Sequence, residues 1–303
     1  LKSILRNILH IVSGTMQASG GPDGAAEDAI DLAPVIYALG DIHGLDRQFG
    51  ALLEALTADA ERLGRNAVIV LLGDMVNRGP ASREVVERVL RGPLRAGDRF
   101  VALRGNHEQM ILDALVPGAD RAFSRWLDKG GGATLQSYGL PRENMRPDRA
   151  IEAIGSRHLG FLRALPYMHI EQGRLFVHAG VMSGIPLEDQ LPSTLMNVRK
   201  PFFSRPHGVP YTVVHGHTPT KGKPLIRPGR INVDTGAVVT GILTAGVFEP
   251  GSDTVRFLQA TPAKDRPIIA LGAKAILPGI PAAARRHEAP LRRPRKKRKD
   301  PKT

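Results

Sequence analysis

Short apolar runs that stop at Gly-Asp recur along the first third of the chain. Residues 35–39 (VIYAL) stop at Gly40-Asp41, and residues 67–72 (AVIVLL) stop at Gly73-Asp74. A third run, residues 100–103, stops at Arg104-Gly105-Asn106-His107. Runs this short, rich in Val, Ile and Leu and closed by glycine, read as buried strands. Between them the apolar positions take helical spacing over residues 46–63 and 82–90. Strand, polar loop, helix, strand is the βαβ pattern of an α/β protein, in which ligands sit at the carboxyl ends of the strands. The polar residues of this chain fall at those ends.

The remaining pattern is less regular. Residues 113–164 predict helices with a glycine-rich loop at Gly130 to Gly132. Residues 167–258 predict short strands with tight turns, including a hairpin of residues 232–235 with 241–249. Polar residues again close apolar runs at His178-Ala179-Gly180 and at His215-Gly216-His217. The ends differ in texture. Residues 1–12 have the pattern of a short amphipathic helix, and residues 13–31 are rich in Gly and Ala, as a disordered segment would be. The apolar part is short and has no small-residue cleavage site, which argues against a signal peptide. The expected division is an extension over 1–34, a catalytic domain over 35–260, and a linker with a disordered basic tail over 261–303.

Composition narrows the chemistry. The 303 residues contain no cysteine, so neither a disulfide nor a thiolate ligand is available. Any metal must be held by His, Asp, Glu or Asn, which favours manganese, iron or zinc. No apolar run is long enough to cross a bilayer, and a cytoplasmic protein is expected. The net charge of +13 is uneven: residues 285–303 carry ten Lys or Arg against two acids, eight of the thirteen net charges. Such a tail reads either as a solvated charge run or as a non-specific contact for nucleic acid or an anionic membrane. It lacks interleaved aromatics, so sequence-specific recognition is not expected.

Five segments carry candidate chemistry: Gly40-Asp41-Ile42-His43-Gly44, Gly73 to Gly79, Gly105-Asn106-His107-Glu108, His178-Ala179-Gly180 and His215 to Pro219. Asp41 and His43, two apart at a strand end, can turn to one ion. Asp74 offers two oxygens that can bridge two ions, and Asn106, His178 and His217 can complete a second shell. Two divalent ions about 3.5–4 Å apart could share a phosphate ester and ready a hydroxide between them for in-line attack.

In order and content the five segments resemble the phosphoprotein phosphatase branch of the calcineurin-like metallophosphoesterases, bacterial and bacteriophage members above all. Residues 103–110 (LRGNHEQM), 126–132, 216–219 and 233–238 carry the likeness most closely. The resemblance implies a four-layer metallophosphatase fold, a β-sandwich flanked by helices. It implies a first ion on Asp41, His43 and Asp74, and a second on Asp74, Asn106, His178 and His217. It makes His107 the general acid, Arg78 and Arg104 the phosphate clamp, and Arg199 a further phosphate contact. Manganese is the first expectation for the two ions.

One residue departs from the family pattern. Where relatives read GDxVDRG, this chain has Asn77. An amide oxygen there could still accept from His107, but without the charge that stabilises imidazolium. A similar change occurs in relatives of the diadenosine tetraphosphate hydrolases. Two functions follow: a protein serine/threonine phosphatase acting on phosphoproteins, or a hydrolase of diadenosine polyphosphates or other small phosphate esters. Other residues read more plainly. Trp126 is expected to pack, Glu108 to orient its loop, Asp234 to organise a turn, and His215 to support a ligand or cap a strand.

Overall fold

A computed structural model describes residues 33–262 and 268–273. Strands β1 (Val35–Leu39), β2 (Ala67–Leu71) and β3 (Arg99–Ala102) alternate with helices α1 (Asp46–Arg62) and α2 (Ser82–Arg91). Four helices follow: α3 (Asn106–Ala114), α4 (Asp120–Trp126), α5 (Gly132–Ser137) and α6 (Pro147–Ala164). A wide turn, Leu127–Gly131, joins α4 to α5. Next come β4 (Met168–Glu171), β5 (Arg174–Val177), α7 (Pro192–Asn197), α8 (Lys200–Ser204) and β6 (Thr212–His215). The order ends with β7 (Leu225–Arg227), β8 (Arg230–Asn232), α9 (Ala237–Thr240), β9 (Leu243–Phe248), β10 (Val255–Ala260) and β11 (Ile268–Ala273).

The strands form two mixed sheets. The first has the order β11-β10-β9-β1-β2-β3, with β1, β2 and β3 parallel. The second has the order β4-β5-β6-β8-β7, with β5, β6 and β8 parallel. Period-two alternation explains why they stack. On β1, Ile36 and Ala38 face a core shared with Phe176, Val214 and Ile231 of the second sheet. Val35, Tyr37 and Leu39 face the opposite way, onto Phe49, Leu52 and Leu56 of α1. Likewise Leu175, Val177 and Val213 pack against Leu195 and Phe202 from α7 and α8. The result is helix, sheet, sheet, helix, the four-layer arrangement expected. Burying each such side chain contributes about 1.5–3 kcal/mol, which holds the strand ends in fixed positions.

Two expectations fail. Residues 232 and 243 do not begin a hairpin: β8 belongs to the second sheet and β9 to the first, so the link crosses the sandwich. The stretch after 260 is not all linker, because β11 pairs antiparallel with β10 from Ile268↔Ala260 to Ala273↔Val255. Residues 1–32 and 274–303, where the extension and the basic tail were expected, lie outside the described residues. Among the described residues no helix is long and apolar enough to cross a membrane.

Candidate active site

The parallel strands of both sheets end on one cleft. Loops after β1, β2 and β3 bring Asp41, His43, Asp74 and Asn106; loops after β5, β6 and β8 bring His178, His217 and Asp234. The cleft, about 140 Å³, is lined by Asp41, His43, Asp74, Asn106, His107 and His217, with Arg78, Arg199 and Asp234 around them. Its backbone is strained. Six non-glycine residues have positive φ among the described residues, and five stand here: His43, Asp74, Asn77, Arg78 and His217. Each is costly alone and persists only where surrounding contacts enforce it.

Glu108 supplies much of that enforcement. Fully buried, it accepts from the backbone N–H of Asp74 and Gly105 at Oε2, both 2.8 Å, and of Met75 at Oε1, 2.7 Å. One carboxylate thereby ties the loop after β2 to the start of α3. Gly105 has no room for a Cβ, which would run into Asp74 Oδ1.

The imidazoles are anchored through Nδ1. His43 Nδ1–H donates to the Val76 carbonyl at 2.9 Å, and His178 Nδ1–H to the Leu72 carbonyl at 2.8 Å. His217 is held by the Asn197 carbonyl. On each ring the lone pair then sits on Nε2, the arrangement that outer partners impose on metal-binding histidines. Asp74 stands between two of them: Oδ2 is 3.7 Å from His43 Nε2, and Oδ1 is 3.5 Å from His178 Nε2. His178 Nε2 also lies 3.0 Å from Asn106 Oδ1. Asp41 Oδ2 is 4.0 Å from His43 Nε2. Two donor groups share Asp74, namely His43, Asp74 and His107, and Asp74, His178 and His217, with ligand atoms within 4.8 Å of one another.

Electrostatics point the same way. Burial lowers the pKa of His43 and His217 to about 4 and pushes that of His178 well down, so all three rings are neutral near pH 7. Burial, then Asp234 and Asp74, push Asp41 well above the usual carboxylate range; burial, then Glu108, do the same to Asp74. Burial raises Asp234 to about 6. Several carboxylates this close and this buried are costly to ionise unless cations lie among them. Hard oxygen and imidazole donors with no thiolate suit divalent ions.

A family model, calcineurin-like phosphoesterase, matches residues 34–243. The chain belongs to the calcineurin-like phosphoesterase family. As such it is 36% identical over 151 residues to the symmetrical bis(5'-nucleosyl)-tetraphosphatase of Aromatoleum aromaticum, covering 49% of this chain and 45% of that one. It is 35% identical over 147 residues to the enzyme of the same name from Delftia acidovorans, covering 48% and 44%. The chain thus spans less than half the length of these curated relatives. The fold of this calcineurin-like phosphoesterase is similar to the crystal structure of a putative diadenosine tetraphosphatase, with a TM-score of 0.52, 22% identity, and coverage of 80% of this chain and 95% of that chain. It is also similar to the crystal structure of a point mutant of a cold-active protein tyrosine phosphatase, with a TM-score of 0.50, 20% identity, and coverage of 80% and 84%.

Two sequence expectations for this phosphoesterase need correction. Arg104 does not line the cleft. Its guanidinium donates to Gln109 Oε1 and Tyr167 Oη, both 3.0 Å, and to the Arg163 carbonyl at 2.5 Å. Arg78 and Arg199 are the arginines that line the cleft. Arg199 Nε donates to His217 Nε2 at 3.2 Å.

The second correction concerns Asn77. Its oxygen does not face His107. Oδ1 accepts from Trp126 Nε1–H at 2.9 Å and Thr134 Oγ1–H at 2.8 Å, so Nδ2 faces His107 Nδ1 at 2.9 Å. Indole N–H can only donate, which fixes the amide. Sequence reasoning found Trp126 as a packing residue and missed it as the group that orients Asn77. It missed Thr134 and Ser82 altogether, which receive the Asn77 backbone N–H at 3.0 Å each. His215 is fully buried and stands outside both donor groups, with its ring edge-on to Phe202 at 5.1 Å.

Proposed function

We propose that this chain hydrolyses the phosphoanhydride bridge of dinucleoside polyphosphates. The observation that carries this reading is the Asn77 amide turned toward His107. An N–H donor at Nδ1 makes that nitrogen the lone-pair side of a neutral imidazole, with the proton on Nε2. Such a ring donates a hydrogen bond through Nε2–H, but giving the proton away would leave an imidazolate. A serine or threonine alkoxide needs that proton to depart. A nucleotide phosphate does not, because it leaves as an anion already stable near neutral pH.

In this reading Asp41, His43 and Asp74 hold one ion, and Asp74, Asn106, His178 and His217 the other. Asp41 is preferred to His107 because both nitrogens of His107 already face N–H donors, Asn77 Nδ2 and an Arg78 guanidinium nitrogen at 3.1 Å. When bound, the ions supply Lewis acidity toward phosphate oxygens and acidify water. Two donors cannot both be satisfied by a ring with one lone pair. Asn77 is locked and Arg78 is exposed, so Arg78 is the group that turns to the phosphate. A planar fork of donors suits that task, and Arg199 adds a second from the far wall. Names of the sequence relatives support the substrate class. Reading the chain as a phosphoprotein phosphatase ranks second, because it asks His107 for a proton that Asn77 does not help it carry.

A substrate panel with Mn²⁺ tests the proposal. Diadenosine tetraphosphate should be turned over with kcat/KM about 100-fold above a phosphoserine peptide, the scale of a missing general acid. Phosphopeptide turnover equal to or above the dinucleotide would reject it.

A further inference from the structure

We infer that His158 is a positioning residue of the active site, fastening α2 to α5 so that Ser82 and Thr134 keep the Asn77 amide turned toward His107. The inference rests on the part Asn77 plays in the proposed function, and it concerns residues outside the cleft. Asn77 is gripped from two helices. Thr134 of α5 gives its hydroxyl proton to Asn77 Oδ1 at 2.8 Å. A threonine has one such proton, so in the 3.1 Å contact between the Ser82 and Thr134 hydroxyls the donor is Ser82, at the start of α2. Both hydroxyl oxygens also accept the Asn77 backbone N–H. The grip therefore depends on the spacing of α2 and α5.

About one turn further along each of these helices, an imidazole spans the same pair. His158 stands on α6 just after Gly155, where the helix breaks at φ 76° and ψ 158° and then resumes. The residue is buried. Its Nε2–H donates to Glu87 Oε1 of α2 at 2.9 Å, and its Nδ1 accepts the hydroxyl of Tyr138, directly after α5, at 2.7 Å. The partners fix these roles. Hydrogen bonds from Arg157, then from His158, draw the Glu87 carboxyl below its usual range, so it is an ionised acceptor. Burial raises the Tyr138 phenol, so it keeps its proton. A residue that only fills space needs neither bond. An imidazole bonded at both nitrogens, a fixed distance apart, sets the separation of the two groups it joins. Without it the Tyr138 hydroxyl is left unpaired, and the end of α5 is released from α2 together with the Thr134 hydroxyl.

Trp126 is the only tryptophan of the chain, and its indole N–H donates to the same Asn77 Oδ1. Its single resonance in a proton–nitrogen correlation spectrum therefore reads the seat of Asn77 directly. His158→Leu should shift that resonance and speed its hydrogen exchange about tenfold. It should lower kcat for p-nitrophenyl phosphate and diadenosine tetraphosphate about tenfold with KM within about twofold, as when an interaction made in the transition state is lost. His158→Gln, which keeps one donor and one acceptor, should return kcat to within about threefold of wild type. Arg157→Ala removes another Glu87 partner from the same helix and should leave kcat and the resonance unchanged. Tyr138→Phe removes one oxygen and should move both as His158→Leu does, which serves if the leucine variant does not fold. A wild-type resonance and kcat in either folded variant overturns the inference, as does an equal loss in Arg157→Ala. Should these changes appear with p-nitrophenyl phosphate while the wild-type chain fails to cleave the dinucleotide, the role of His158 stands and the proposed function falls.

Discussion

Asn77 reaches His107 only as an amide, because Trp126 and Thr134 both donate to its oxygen. An Asp at this position would keep those two bonds with one oxygen and place the other against His107 Nδ1. The ring would then carry its proton on Nδ1, and the carboxylate would stabilise imidazolium, as an orienting Asp does in a catalytic triad. Asn77→Asp should therefore raise turnover of an alkyl phosphate, such as a phosphoserine peptide, about tenfold or more, and change p-nitrophenyl phosphate turnover less than about threefold. Equal gains on both esters would show that Asn77 does not act through the leaving group. The sequence displayed Asn77 as a departure from a motif, but not which end of the amide meets the ring. That choice is made by residues 49 and 57 positions away. The same distance problem hid Arg104, whose partners Arg163 and Tyr167 lie 59 and 63 residues on. The candidate donors stood out in the sequence because each closely follows an apolar run.

Short strands announced themselves by composition: β1 falls where the apolar run predicted it, and β2 and β3 within one residue at each end, although β3 is only half-buried and not the buried strand expected. What a strand run does not state is which sheet it joins. Periodicity is identical in both layers of a sandwich, so β8 and β9 read as a hairpin although the chain changes sheets between them. The wide turn Leu127–Gly131 shows the converse, a local signal whose purpose only the fold reveals. Gly130, at φ 100°, accepts the Arg78 backbone N–H at 3.1 Å. A Cβ on Gly130 would stand 2.6 Å from Arg78 N. Gly130→Ala should displace the Arg78 loop, lower kcat/KM on any phosphate ester by about tenfold or more, and destabilise the fold by about 1–3 kcal/mol. Kinetics with urea unfolding of the variant check both. Wild-type kinetics at reduced stability would mean that the turn supports the fold but does not place Arg78.

Both sheets contribute donors to one site, so cations bound there connect the two halves of the sandwich. Asp41, Asp74 and Asn106 hang from the first sheet, His178 and His217 from the second. Ions that bind the folded chain alone stabilise it by mass action, about 2.7 kcal/mol at a hundredfold excess over Kd. The size of that effect should depend on pH, and the sign follows from the shifts. In the metal-free fold Asp41, Asp74 and Asp234 are raised, so the folded state keeps protons that the unfolded chain has lost; stability falls as pH climbs through their folded pKa values. His43 and His217, lowered to about 4 from 6.5, act oppositely, adding stability as pH rises from 4 to 6.5 and nothing further above it. Divalent ions remove the cost of the acids by ionising them. The gap in Tm between Mn²⁺-loaded and chelator-treated protein should thus widen as pH rises through the folded pKa values of these acids, that of Asp234 being about 6, and reach about 5–10 °C for a domain of this size. Paired thermal scans at fixed free Mn²⁺ measure it. A gap that narrows with rising pH would place the ions on groups other than these buried carboxylates.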